Sequence, residues 1–116
     1  MQVELTSTGT SDGIKLHGIF LEPDKRRDDL IIDAMLMVHG SGANFYASPS
    51  NPRAERFREM GIPVALFNMR GHDVIAGHSG DHKVGNAWEI LDETRLDIEA
   101  VVSWLADRGY KRVAMM

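Results

Sequence analysis

The sequence predicts an α/β fold: an N-terminal antiparallel hairpin followed by β-α-β-α-β with parallel strands. Three observations carry this. Ala34 to Val38, within "LIIDAMLMV", and "IPVALFNM", Ile62 to Met69, are apolar without polar alternation. Strands buried on both faces look like this, and they belong to parallel sheets covered by helices. A third such run, "RVAMM", ends the sequence at Arg112 to Met116. Segments of helical period separate the three runs, as expected when crossover helices join parallel strands.

Each element follows in order. Val3 and Leu5 alternate with Gln2, Glu4 and Thr6, which reads as a strand. Asp12-Gly13 is a hairpin signal, since glycine takes the positive φ that such turns need. Ile14, Leu16, Gly18 and Phe20 mark the returning strand, and Pro23 ends it. Pro23 to Asp29 is a charged connection. Its basic run, Lys25-Arg26-Arg27, is followed at once by Asp28-Asp29 and reads as a solvated loop, not a phosphate patch. After the first buried strand and a Gly-rich turn, Ser50 or Asn51 can cap a helix with Pro52 at its first position. That helix continues through "PRAERFREM" to Gly61, a C-terminal glycine. Beyond Met69 lies an irregular segment, roughly Arg70 to Ala87, rich in Gly, His and Asp. Asn86 and Glu89 have the spacing of a capping box, with Asp92 as an alternative start. The second helix runs to Arg108, and Gly109 terminates it. Leu91, Thr94, Ile98, Val101, Val102 and Leu105 fall on one stripe. Burying its apolar members is worth roughly 2 kcal/mol each before entropy is charged.

Composition bounds the function. A chain of 116 residues is about one domain, taken here as 1–116. A hydrophobic fraction of 43% calls for a packed core. The net charge of -4 argues against nucleic acid as a partner. There is no cysteine, which removes disulfides, thiolate metal sites and cysteine nucleophiles. The N-terminus has no basic and apolar leader pattern, and no window approaches the ~18 apolar residues of a membrane span. The expectation is a soluble cytoplasmic protein with no membrane partner.

The chemistry centres on His39-Gly40-Ser41-Gly42, directly after a buried strand. Its glycines let the backbone fold so that N–H groups point into a cleft, where they can stabilise an oxyanion. The same four residues fit a plain strand-to-helix turn equally well. A dinucleotide fingerprint needs a third glycine, and Ala43, Asn44 and Phe45 follow instead. A P-loop needs Gly-Lys-Ser/Thr, which is absent. Gly77-His78-Ser79-Gly80-Asp81 has the outline of a nucleophile elbow, but its fifth residue is Asp81 and no strand precedes it. Ser79 is therefore assigned to a loop. His72, Asp73, His78, Asp81 and His82 share that segment. Two histidines four apart suit a metal only on a helix, and Gly77 and Gly80 argue against one. No metal and no cofactor is assigned. His17, beside Lys15, is placed on the wet face, and Trp88 and Trp104 are taken as packing residues.

Three motifs then stand in sequence: "VHGSG" (Val38 to Gly42) after the third strand, "FNMRGHD" (Phe67 to Asp73) after the fourth, and "DIEAVVSWLADRGYKRVAMM" (Asp97 to Met116) running into the fifth. The strand "DGIKLHGIFLEP" (Asp12 to Pro23) fits beside them. Over nearly its whole length the sequence resembles the N-terminal half of an α/β-hydrolase-fold protein, and so a partial α/β-hydrolase fold. The resemblance implies a serine hydrolase acting on an ester or related acyl bond of a small molecule. It implies that Ser41 offers its backbone N–H to an oxyanion hole, with Gly40 and Gly42 permitting the bend. By the same resemblance His39 is structural, tying the loop in place, and Arg70, Gly71, His72 and Asp73 shape the turn bordering the site. Asn44, Phe45 and Tyr46 would line an acyl pocket.

The nucleophile of this family belongs in a G-x-S-x-G turn directly after the fifth strand, with the acid and the histidine later still. None of them lies within residues 1–116, so no catalytic residue is assigned and no triad-dependent activity is expected of this chain alone. The expectation is a truncated hydrolase. "RVAMM" is apolar on both faces and would form an exposed edge, a template for pairing. Self-association, or a partner chain docked along Arg112 to Met116, is expected. The alternative function is a non-catalytic interaction module that pairs through that strand.

Overall fold

The computed structural model describes residues 2–47 and 50–116. In chain order the elements are β1 (Glu4–Gly9), β2 (Lys15–Leu21), β3 (Ala34–Met37), α1 (Ser50–Glu59), β4 (Val64–Phe67), β5 (Gly77–Ser79), β6 (His82–Val84), α2 (Thr94–Asp107) and β7 (Val113–Met115). Five strands form one sheet in the order β1-β2-β4-β3-β7. β1 pairs antiparallel with β2 and β2 with β4, while β3 runs parallel to both β4 and β7. The mixed sheet, an antiparallel hairpin followed by parallel strands, agrees with the order read from the sequence.

The parallel strands are apolar throughout because both faces are covered. Leu16, Phe20, Ala34, Leu36, Ala65 and Phe67 pack with Val101 and Leu105 of α2. Leu21, Met35, Met37, Val64 and Leu66 face the other way and pack with Ala54 of α1. The period of two in each strand thus divides one continuous apolar run between two layers. Trp104 sets its edge against Phe20 and Phe67, at centroid distances of 5.6 and 5.4 Å. Both helices end as expected. Gly61 and Gly109 take φ of +86° and +93°. The N–H groups of Gly109 and Tyr110 reach back to Ala106 and Leu105, and those of Gly61 and Ile62 to Arg58 and Phe57. Each helix therefore closes its last carbonyls in the same paired pattern.

Several expectations need correction. The alternation of Val3 and Leu5 does mark a strand, but not a buried face: Leu5 is 81% exposed. β1 is the edge strand, and α1 packs on β2 and β4 rather than over it. The segment Arg70 to Ala87 is not all irregular, because β5 and β6 form a small antiparallel hairpin turned at Gly80. Ser79 therefore ends a strand, and a strand rather than a helix follows it. Asn86 and Glu89 form no capping box. Asn86–Trp88 and Leu91–Glu93 are single 3-10 turns, and α2 begins at Thr94 without a side-chain cap. The buried face of α2 is Asp97, Val101 and Leu105, whereas Leu91 and Val102 face outward. Trp88 is not a packing residue: it is 47% exposed, with the Lys83 ammonium 4.4 Å from its ring centre. α1 begins at Ser50, so Asn51 lies inside the helix rather than capping it and Pro52 is its third residue, not its first. Among the described residues no helix is long and apolar enough to cross a membrane.

Candidate active site

Because β3 and β4 run parallel, their carboxyl ends share one edge of the sheet, the usual place for ligands in such sheets. The turn after β3 and the segment after β4 meet there. His39 joins them. Its Nε2 accepts the Met69 N–H at 2.9 Å, so the ring proton sits on Nδ1 and is donated to the Gly40 carbonyl at 2.8 Å. The turn closes by the Ala43 N–H donating to Gly40 O at 3.0 Å, with Gly42 at φ +67°. Among the described residues the N–H groups of Gly40, Ser41 and Gly42 have no protein acceptor. The Ser41 hydroxyl is occupied, donating to Asn86 Oδ1 at 2.5 Å. This turn therefore presents backbone donors, not a nucleophile.

The pocket-lining candidates separate. Asn44 is buried: its Oδ1 accepts the Ala47 N–H at 2.7 Å and its Nδ2 donates to Asp73. Phe45 is half-buried against the α1-side core, and its N–H donates to Asn68 Oδ1 at 2.9 Å. Tyr46 is 56% exposed and donates its hydroxyl to Asp73. Asp73 is the only non-glycine residue at positive φ among the described residues, at +55°. Hydrogen bonds from Tyr46, then His72, then Asn44 outweigh its desolvation and hold its carboxyl down at about 2.

Arg70 lies beneath this layer, with 4% of its surface exposed. Its guanidinium bonds Asp12 at 2.8 Å, Asp97 at 2.8 Å and Glu93 at 3.1 Å. Its backbone N–H donates to Asp97 Oδ2 at 2.8 Å. Burial opposes the guanidinium charge, but the Asp12 and Asp97 carboxylates outweigh it and push the Arg70 pKa up. Arg70 thus fastens the β1–β2 turn and α2 to the end of β4. Gly71 is buried behind it, and the His72 ring is turned to Asp73 at 2.7 Å.

The histidines of the β5–β6 hairpin do not converge. His78 is opposite Lys83 and His82 opposite Ser79, so the two rings emerge on opposite faces. Among the described residues no three His, Cys, Asp or Glu side chains are placed to hold a metal. A cleft of about 760 Å³ is lined by Glu4, Phe20, Glu22, Asp24, Glu55 and Arg58. It lies at the opposite edge of the sheet, away from the His39–Gly42 turn.

No family model matches the sequence, and no curated protein matches it. Solved structures do. An esterase of Pyrococcus furiosus, Pf2001, superposes with a TM-score of 0.71 at 23% identity, over 98% of this chain and 39% of its own. The α/β hydrolase GrgF from Penicillium sp. sh18 gives 0.74 at 19% identity, over 99% of this chain and 37% of its own. The fold is that of part of an α/β-hydrolase. XC6422 from Xanthomonas campestris, an α/β serine hydrolase without a lid, gives 0.63 at 18% identity, over 99% of this chain and 50% of its own. The chain spans half or less of the length of each of these hydrolases.

Within this partial hydrolase fold, sequence reasoning placed Asp73 in the turn bordering the site but not its bonds to Asn44 and Tyr46, and it missed Asn86, Asp12 and Asp97 as parts of the site's scaffold. Asp97 alone left a signal. It sits one helical turn before Val101 and two before Leu105, in phase with the buried stripe.

Proposed function

We propose that this chain is the N-terminal portion of an α/β-hydrolase-fold serine hydrolase acting on an ester or related acyl bond. The supporting observation is the placement of the His39–Gly42 turn. Among the described residues its N–H groups have no protein acceptor, and β7 ends beside it. The Val38 N–H donates to Met116 O at 2.8 Å and the Met116 N–H to Leu36 O at 3.0 Å. A chain continuing past Met116 would leave the sheet next to Ser41. A serine presented there would attack the acyl carbonyl, and the proton would pass to a histidine. The Ser41 N–H would then help hold the oxyanion. Nucleophile, acid and base are all assigned to residues beyond Met116. The substrate is a small acyl compound, and the proposed location is the cytoplasm.

The test is a fluorophosphonate probe applied to the intact protein, with the modified residue located by peptide mass spectrometry. Labelling of one serine outside residues 1–116 supports the proposal. Labelling of Ser41 or Ser79, or none at all, sinks it.

One observation favours a second function. β7 is an outer strand of the sheet, and Met115 on it is 59% exposed. An interaction module could add a partner strand there. Stoichiometric recovery of one discrete partner, lost when Met115, whose N–H faces away from β3, is changed to Pro, would support it over the hydrolase.

A further inference from the structure

We propose that Asp73 is a positioning residue: its carboxylate latches the donor-bearing turn after β3 to the segment after β4. The catalytic consequence rests on the hydrolase proposal, whereas the latch itself does not.

Three donors converge on this one carboxylate. Asn44 Nδ2 reaches Oδ1 at 2.7 Å, and the Tyr46 hydroxyl and His72 Nδ1 reach Oδ2 at 2.5 and 2.7 Å. Two of the three come from the stretch that continues the His39–Gly42 turn. The backbone repeats the connection. The Asp73 N–H donates to Ala43 O at 2.9 Å, and Asp73 O accepts the Asn86 N–H at 2.9 Å. Asn86 is the residue whose side chain holds the Ser41 hydroxyl. Asp73 is thus bonded on one side to the stretch that carries the donors and on the other to the residue that anchors Ser41.

The backbone speaks for the carboxylate as well. At φ +55° a glycine would sit without strain, and a side chain is uncommon there. Sparsely populated conformations persist where the surroundings over-determine them, and they cluster at functional sites. Both Asp73 oxygens are filled by donors from the scaffold, which assigns the residue to holding the turn in shape rather than to contacting a substrate.

The experiment compares the intact wild-type protein with Asp73→Gly and Asp73→Asn by amide hydrogen exchange. The reporters are the N–H groups of Ala43, Phe45 and Ala47, bonded to Gly40 O, Asn68 Oδ1 and Asn44 Oδ1. Glycine accepts the backbone conformation, so Asp73→Gly removes the latch without adding strain. Asparagine tolerates the same conformation and keeps an acceptor for Tyr46 and His72. The expected result for Asp73→Gly is exchange about tenfold or more faster at the three reporters, with Val101 and Leu105 of α2 unchanged. Asp73→Asn should restore most of the protection. Reporter exchange unchanged in Asp73→Gly, or equal loss in both variants, overturns the latch.

With a p-nitrophenyl ester and the same proteins, Asp73→Gly should lower kcat by about tenfold or more at nearly constant KM, the pattern of lost transition-state contacts. Unchanged kcat beside faster exchange overturns the catalytic consequence. A wild-type protein inert to both ester and fluorophosphonate sinks the hydrolase proposal instead, and the exchange data still decide on Asp73.

Discussion

Arg70 and His39 show how single side chains hold this site. Asp97 is fully buried and accepts three bonds from Arg70, from the backbone N–H, Nε and the terminal guanidinium nitrogen. Burial pushes the Asp97 carboxyl up, and the guanidinium opposes it. Removing the cation strands a buried charge. Arg70→Met should therefore lower unfolding stability by about 3–5 kcal/mol in urea denaturation, and adding Asp97→Leu should recover most of it. His39→Ala leaves the Met69 N–H without its acceptor and should cost about 1–3 kcal/mol, read by the same measurement. At this scale little of the site was legible in the sequence. The turn glycines and the HG-S-G order are local and could be read. Asp12 and Arg70 are 58 positions apart, and Ser41 and Asn86 are 45 apart. Pairs so distant leave no periodic signature. Asp97 was passed over because a carboxylate is rarely expected on a buried stripe.

At the scale of elements, the strands and helix ends were the most legible parts. A strand covered on both faces must be apolar at every position, and a helix that stops in a left-handed turn favours glycine. The start of α2 was misread because a capping pattern is local, whereas its members are drawn elsewhere. Asn86 accepts from Ser41, and Glu89 accepts from the Thr94 hydroxyl at 3.3 Å. The β5–β6 hairpin was missed because three-residue, largely exposed strands carry no apolar run. The two helix-ending glycines should respond differently to substitution. A Cβ at Gly109 meets nothing within 4 Å, so Gly109→Ala should cost about 1–2 kcal/mol, the backbone penalty alone. At Gly61 the added carbon would lie 2.9 Å from Lys25 O and 3.0 Å from Arg27 N, so Gly61→Ala should lower the Tm further. The entry to β7 depends on acid. Asp33 is held down at about 2, first by the Arg112 side chain and then by the Arg112 and Lys111 N–H groups. Because the folded value lies below the ordinary 3.8, the stabilisation is full above that value and is lost as pH falls through about 2. Exchange at the Met116 amide should accelerate over that interval in the wild type, and the acceleration should be much smaller in Asp33→Asn.

For the molecule as a whole, the sheet is covered by one helix on each face and, among the described residues, ends at β7 with no strand paired to its outer edge. Leu5, Ile31, Leu91 and Met115 are all more than half exposed. Exposed strand edges and scattered large apolar groups together favour association. Residues 1–116 expressed alone should sediment as oligomers or aggregates, whereas a sharp monomer with cooperative unfolding would count against the open-edge account. The likeness to hydrolases two to three times as long points the same way, since 37% and 39% of GrgF and Pf2001 correspond to nearly all of this chain. The central claim is that these residues form the first part of a hydrolase whose nucleophile follows β7. Its most direct test is the intact mass of the polypeptide in its native source. The account predicts a mass about twice 12.9 kDa or more, with a serine turn beginning within a few residues of Met116. A mass near 12.9 kDa would contradict it, because the chain would then carry no serine in a turn after β7 for the N–H groups of Gly40, Ser41 and Gly42 to serve.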